Sequence, residues 1–138
     1  MGTRNSVRDS RKHYQERQID ERTWEFSLGH LLQRTTNPLW RQESQRIRRL
    51  IWRRTVYVVR DGETVLYVGS TRYTPIERLT VHLNSNDSAL GQRIKQDQIA
   101  ARDWMVTVIK FDSIEDMLAT EARLTAELHP ILRKEYTG

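Results

Sequence analysis

The Asp61-Gly62 step, set between Val56–Val59 and Thr64–Val68, constrains this chain more than any other feature. Val and Tyr fill both arms, and an Asp-Gly pair between two such runs signals a β-hairpin. Gly69 ends the second arm, and Thr74-Pro75-Ile76-Glu77 then reads as a helix start. Thr74 caps, Pro75 suits the first helical position, and Glu77 completes a capping box. In that phase Arg78 and His82 share a face, beside an apolar stripe of Ile76, Leu79 and Leu83. The loop length fixes which faces Tyr57 and Tyr67 take. A two- or four-residue loop sets Tyr57 opposite Leu66 and the tyrosines on opposite faces; a three-residue Asp61-Gly62-Glu63 loop pairs the two directly. One site on one face therefore requires an odd loop or a bulge, which is the expectation here.

Downstream, Asn84 to Ser88 is a turn-rich loop, and Ser88 is placed to cap a second helix running to about Ala101, with Leu90, Ile94 and Ile99 inward. Trp104–Phe111 is almost wholly apolar and reads as a central third strand. Ser113 caps a last helix to about Leu128, closed by His129-Pro130. The inward stripe of that helix is Ile114, Met117, Leu118, Leu124, Thr125 and Leu128, and Glu121 falls inside it. A carboxylate there needs a cation or good hydrogen-bond donors. It reads either as a structural ion pair with an arginine such as Arg78 or as a ligand for a hard metal ion, Mg²⁺ above all.

Charge divides the chain of 138 residues unevenly. Residues 1–55 hold 13 Lys/Arg against 6 Asp/Glu, and the remainder 10 against 12, so the net +5 comes entirely from the N-terminal part. Residues 1–22 are highly charged and read as a partner-bound helix or a mobile tail. Trp24, Phe26, Leu28, Leu31 and Leu32 read as a segment packing on the main domain or on a second subunit. A helix is expected from Asn37-Pro38 to about Arg53, with Arg46, Arg49 and Arg53 on one side. Arginines of that kind either face water or grip backbone phosphates, where the guanidinium fork suits them. Cysteine is absent, which excludes disulfides and thiolate metal sites. No apolar run approaches a membrane span and the N-terminus is too polar for a secretory signal, so a cytoplasmic protein is expected.

Thr55-Val56-Tyr57 and Tyr67-Val68-Gly69 resemble the paired signatures of the GIY-YIG nuclease family. The ordered set continues with Arg78, His82, Glu121 and Pro130, and covers roughly residues 55–133. Thr55 stands in place of the first glycine of the signature. Arg72 takes the place of a basic helper in the loop, and Arg133 stands where relatives carry asparagine. The resemblance implies a metal-dependent DNA endonuclease that hydrolyses phosphodiesters with Mg²⁺ or Mn²⁺. It assigns Tyr57 as candidate general base, Tyr67 to position water or phosphate, and Arg78 to stabilise the charge that develops on phosphate. His82 relays a proton or contacts phosphate, and Glu121 holds the metal. Gly69 permits close backbone approach, and Arg72, Arg46, Arg49, Arg53 and Arg133 contact DNA.

The expected architecture is an α/β (α+β) domain over 55–138, a three-stranded mainly antiparallel sheet flanked by helices. A basic helical arm over 1–54 contacts DNA or forms a homodimer. Among relatives of this size, a restriction-type or phage-encoded enzyme is favoured. A structure-selective repair nuclease, an RNA-directed enzyme and a catalytically silent nucleic-acid-binding module are the rivals.

Overall fold

The computed structural model describes residues 16–29, 53–85 and 87–132. The expected helix over 37–53, together with Arg46, Arg49 and Arg133, lies outside these residues apart from Arg53 at its end. Described in chain order are β1 (Glu16–Asp20), β2 (Thr23–Ser27), β3 (Thr55–Asp61), β4 (Thr64–Thr71), α1 (Pro75–Asn84), α2 (Ala89–Gln96), α3 (Gln98–Ala101), β5 (Met105–Lys110) and α4 (Ile114–Leu128). The strands form one antiparallel sheet in the order β1-β2-β5-β3-β4. The class is α+β, and the sheet has five strands where three were expected.

The two additional strands come from the stretch expected to be a helical arm. Along β2 and into the residue after it, Trp24, Phe26 and Leu28 take alternate positions. Phe26 and Leu28 are buried, and Trp24 packs against the same cluster. Leu28 donates its backbone N–H to Trp104 O at 2.8 Å, prolonging the β2–β5 pairing. Phe26 and Leu28 are thus core residues of this sheet and not a surface for a second subunit. Arg22, at the β1–β2 turn, donates twice to the Lys110 carbonyl and lies over the Phe111 ring, 5.2 Å from its centroid. The turn is thereby pinned to the end of β5.

Strand alternation divides the core into two layers. Tyr57, Val59, Tyr67, Val106 and Val108 face α1 and α2, whose Leu79, Leu90 and Ile94 close that side with Trp104. Val56, Val58 and Val68 face the opposite way, against Phe111 and α4, where Met117 is buried and Ile114, Leu124 and Leu128 pack partly. Leu118 and Ile99 depart from the expected inward positions; they are 50% and 80% exposed. Thr125 is also exposed. The helix expected to run to Ala101 breaks at Asp97, where φ −108° and ψ 32° leave the helical region. The Asp97 carboxylate accepts from Arg93 Nε at 2.7 Å, and α3 sets off afresh. The caps fall as expected, with Thr74, Ser88 and Ser113 each accepting a backbone N–H three residues on.

The hairpin resolves the parity question through a bulge. Asp61 pairs with Thr64 around Gly62-Glu63, with Gly62 at φ +58°. The register then slips at Leu66, so that Val59 lies opposite Tyr67 and Tyr57 opposite Gly69. The inserted residue returns both tyrosines to one face. Past α4, the N–H groups of Ile131 and Leu132 donate to the carbonyls of Val65 and Leu66, covering the outer side of β4 at the bulge.

Candidate functional site

Tyr57 and Tyr67 project from neighbouring strands onto the α1 face with ring centroids 6.1 Å apart and planes 26° from parallel. Gly69 makes this stacking possible. A Cβ there would lie 2.6 Å from Cζ and Oη of Tyr57 and 2.9 Å from Cε2 of Tyr67. The glycine is required by the two rings that occupy its side-chain space.

From α1, one turn after Arg78, His82 reaches the same place. It is buried, and its ring meets Tyr67 edge-on at 5.3 Å and Tyr57 at 6.4 Å. Nε2 lies 3.0 Å from the Tyr57 hydroxyl, and Nδ1 lies 2.5 Å from Ser88 Oγ. Ser88 Oγ also accepts the Gly91 N–H at 3.0 Å as the cap of α2. A Cβ on Gly91 would fall 2.0 Å from the His82 carbonyl oxygen, so α2 sits against α1 through a second side chain-free contact.

Glu121 arrives from the other face of the sheet. It is only 7% exposed, and Ser70, the residue after Gly69, donates its hydroxyl to Oε1 at 2.8 Å. Alternation along β4 turns Ser70 toward α4 while Tyr67 and Gly69 face α1. Glu121 therefore comes to the edge strand from below and the tyrosines from above. It also lines a cavity of about 730 Å³ with Val68, Ala122, His129 and Leu132 among its walls.

The two halves share one electrostatic field. Burial pushes the Tyr57 phenol well above its ordinary value, and Tyr67 adds to the rise. Arg78 opposes it through its charge and a side-chain hydrogen bond, while the Glu121 carboxylate pushes further up. A buried neutral phenol is a hydrogen-bond donor and acceptor but a reluctant phenolate.

Tyr57, Tyr67, Gly69 and His82 thus form one packed cluster, and Arg78 and Glu121 act on its central hydroxyl. Arg72 and Arg53 are exposed and lie outside that packing. Sequence reasoning gave Ser88 only a capping role and left Ser70 without one. The signal for Ser70 was its parity, opposite to Gly69 and toward the helix that carries Glu121.

As a metal ligand set, the described residues offer one buried carboxylate, and no group of three His, Cys, Asp or Glu side chains occurs among them. A hard oxygen donor suits Mg²⁺, which keeps several waters and commonly takes one or two carboxylates plus substrate phosphate. Glu121 fits that pattern. No helix among the described residues is long and apolar enough to cross a membrane. No protein family, curated protein or solved structure matches this chain.

Proposed function

We propose that this protein is a metal-dependent DNA endonuclease of GIY-YIG type, restriction-type or phage-encoded. On this reading β3, β4 and β5 with α1, α2 and α4 are the three-stranded catalytic core, and the β1–β2 hairpin is an addition to it. The observation that carries the reading is the convergence on the Tyr57 hydroxyl. Residues far apart in sequence, Tyr67, Arg78, His82 and Glu121, all touch it or change its ionisation. A buried histidine and a guanidinium beside one phenol, with a buried carboxylate acting on it from the other face of the sheet, support a functional site.

In the proposed reaction, water forms a new P–O bond as the bond to the 3′ or 5′ oxygen breaks, the water's proton passing to solvent and the leaving oxygen taking one up. Tyr57 and Tyr67 orient the water and a non-bridging oxygen at the sheet edge. Arg78, partly exposed beside them, presents fixed donors to the charge that develops on phosphate. Glu121 would hold Mg²⁺ or Mn²⁺, which when bound supplies charge neutralisation at the phosphate and leaving oxygen. Arg53 and Arg72, with Arg46, Arg49 and Arg133, supply backbone contacts that fix register without reading sequence. One centre cuts one strand, so a double-strand break calls for a symmetric homodimer.

Supercoiled plasmid and single-stranded DNA, incubated with Mg²⁺ or EDTA, test the reading, with Glu121→Ala in parallel. Discrete Mg²⁺-dependent fragments, absent from the variant, are expected. A wild type that retards DNA on a gel yet leaves every substrate intact would replace the proposal with a non-cleaving nucleic-acid-binding module.

A further inference from the structure

Among the described residues Ser88 has two partners for its side-chain oxygen, and together they determine where its proton goes. Gly91 offers a backbone N–H, which only donates, so Ser88 Oγ accepts there. The hydroxyl is 5% exposed, and a buried hydroxyl has to place its own proton on an acceptor. The remaining partner among the described residues is His82 Nδ1, 2.5 Å away. Donation from Ser88 requires a bare Nδ1, which puts the ring proton of neutral His82 on Nε2. Nε2 faces the Tyr57 hydroxyl at 3.0 Å. The chain of donors therefore runs from Ser88 to His82 to the Tyr57 oxygen.

We propose that Ser88 is a positioning residue that locks His82 as the Nε2–H tautomer, so that His82 donates to Tyr57 and cannot take its proton. The Tyr57 proton is then directed away from His82 and, on the nuclease reading, toward substrate. Tyr57 acts there as a hydrogen-bond donor to the reacting group, not as a base relayed through histidine. Gly91 serves the same end. Its missing side chain lets the start of α2 press against the His82 carbonyl, which holds Ser88 at Nδ1. The tautomer is independent of what the protein cleaves. Only its catalytic consequence rests on the nuclease reading.

Ser88→Asp separates this role from capping. Aspartate caps a helix as well as serine does, but its carboxylate only accepts, so Nδ1 must carry a proton. Long-range ¹H–¹⁵N correlation spectra of the full chain, at mildly alkaline pH, report which ring nitrogen of His82 is protonated. Wild type and Ser88→Thr are expected to show protonated Nε2 and bare Nδ1; Ser88→Asp is expected to show protonated Nδ1. In the DNA cleavage assay, Ser88→Asp is expected to lower kcat by about 10²-fold, the usual scale of a misdirected proton, with KM moving far less. A wild-type His82 protonated on Nδ1 would overturn the proposal, as would a Ser88→Asp spectrum unchanged from wild type. If no variant cleaves DNA while the tautomers follow the expected pattern, the nuclease reading fails and the assignment of Ser88 stands.

Discussion

Gly69→Ala is the most revealing single substitution, because its ordinary sign is reversed by this packing. Replacing glycine by alanine in a strand whose conformation alanine can adopt normally stabilises by about 0.5–1 kcal/mol. Gly69 lies in regular antiparallel pairing with Tyr57, so nothing in its backbone resists the change. The obstacle is the new methyl, 2.6 Å from two atoms of Tyr57 and 2.9 Å from Tyr67. Carbon atoms settle at about 3.5–4.0 Å, so the Tyr57 ring has to move by roughly 1 Å. That ring is 1% exposed in a close-packed core, and overpacking of this kind costs about 1–3 kcal/mol. The same movement pulls its hydroxyl from His82, which weakens a hydrogen bond now 3.0 Å long. Urea unfolding should give a net destabilisation of about 1–2 kcal/mol, with DNA cleavage falling by at least tenfold under conditions where the variant is fully folded. Gly62→Ala is the comparison. It meets open space but keeps φ +58°, so it should lose about 1 kcal/mol through the backbone alone and retain cleavage. A Gly69→Ala protein as stable and as active as wild type would refute the claim that the glycine exists to admit the two rings.

Other outcomes follow from the same geometry. Thr55 stands where the resembled signature has glycine, and its buried hydroxyl has no hydrogen-bond partner among the described residues. Thr55→Val should therefore stabilise by about 1 kcal/mol in thermal unfolding, since it removes an unsatisfied polar group at constant shape. Glu121→Gln keeps an oxygen to accept from Ser70 but loses the charge; the fold should persist by circular dichroism while Mg²⁺ binding by calorimetry disappears. Tyr57→Phe should destabilise by about 1–3 kcal/mol at neutral pH, because His82 Nε2 is left facing a ring edge in the core. It should also flatten the alkaline limb of stability. In the folded chain burial raises the Tyr57 pKa, so the unfolded chain releases that proton first, near the ordinary value of about 10. The tyrosine's contribution is complete below that pH and is lost above it, by up to about 1.4 kcal/mol per pH unit. The difference between wild-type and Tyr57→Phe unfolding curves across that window reads it directly.

The hairpin, the three caps and the burial of Glu121 were legible because each is a local property of the chain, whereas the parity was open to either loop length and followed only from requiring both tyrosines in one site. Asp61-Gly62 marks the turn to within one residue, the loop being Gly62-Glu63, and Ser or Thr three residues before an amide marks a helix start. The β1–β2 hairpin was not legible for an equally physical reason. Residues 17–20 of β1 are exposed, so no apolar alternation remains to be read, and the charges that hide the strand are those that keep a sheet edge from pairing with other chains. Along β2 and into the residue after it the alternation of Trp24, Phe26 and Leu28 was present, but three residues do not reveal whether they face a sheet, a helix or another subunit. Ile99 shows the opposite failure. Apolar character alone assigned it inward, against a helical phase that carries it about half a turn away from Leu90, and it is 80% exposed.

The site's position in the fold follows from needing groups on both faces of a sheet. Side chains from α1 and from α4 are separated by a layer of backbone everywhere except at an edge strand, and β4 is the terminal strand of the order. Successive residues there point to opposite faces, so Gly69 and Ser70 bring the tyrosine–histidine cluster and Glu121 within one residue of each other. The bulge at Leu66 performs two tasks at once. It gives Tyr67 the face of Tyr57, and it offers the Val65 and Leu66 carbonyls to Ile131 and Leu132, which cover that stretch of edge. The covered stretch and the Gly69-Ser70 stretch are three residues apart on one strand. Removing the bulge would set Leu66 opposite Val59 and Tyr67 opposite Val58, leaving β4 beyond it out of phase with both layers. That slip would turn Tyr67 toward α4 and separate it from His82, so a bulge ahead of Tyr67 and the composition of the site are one constraint.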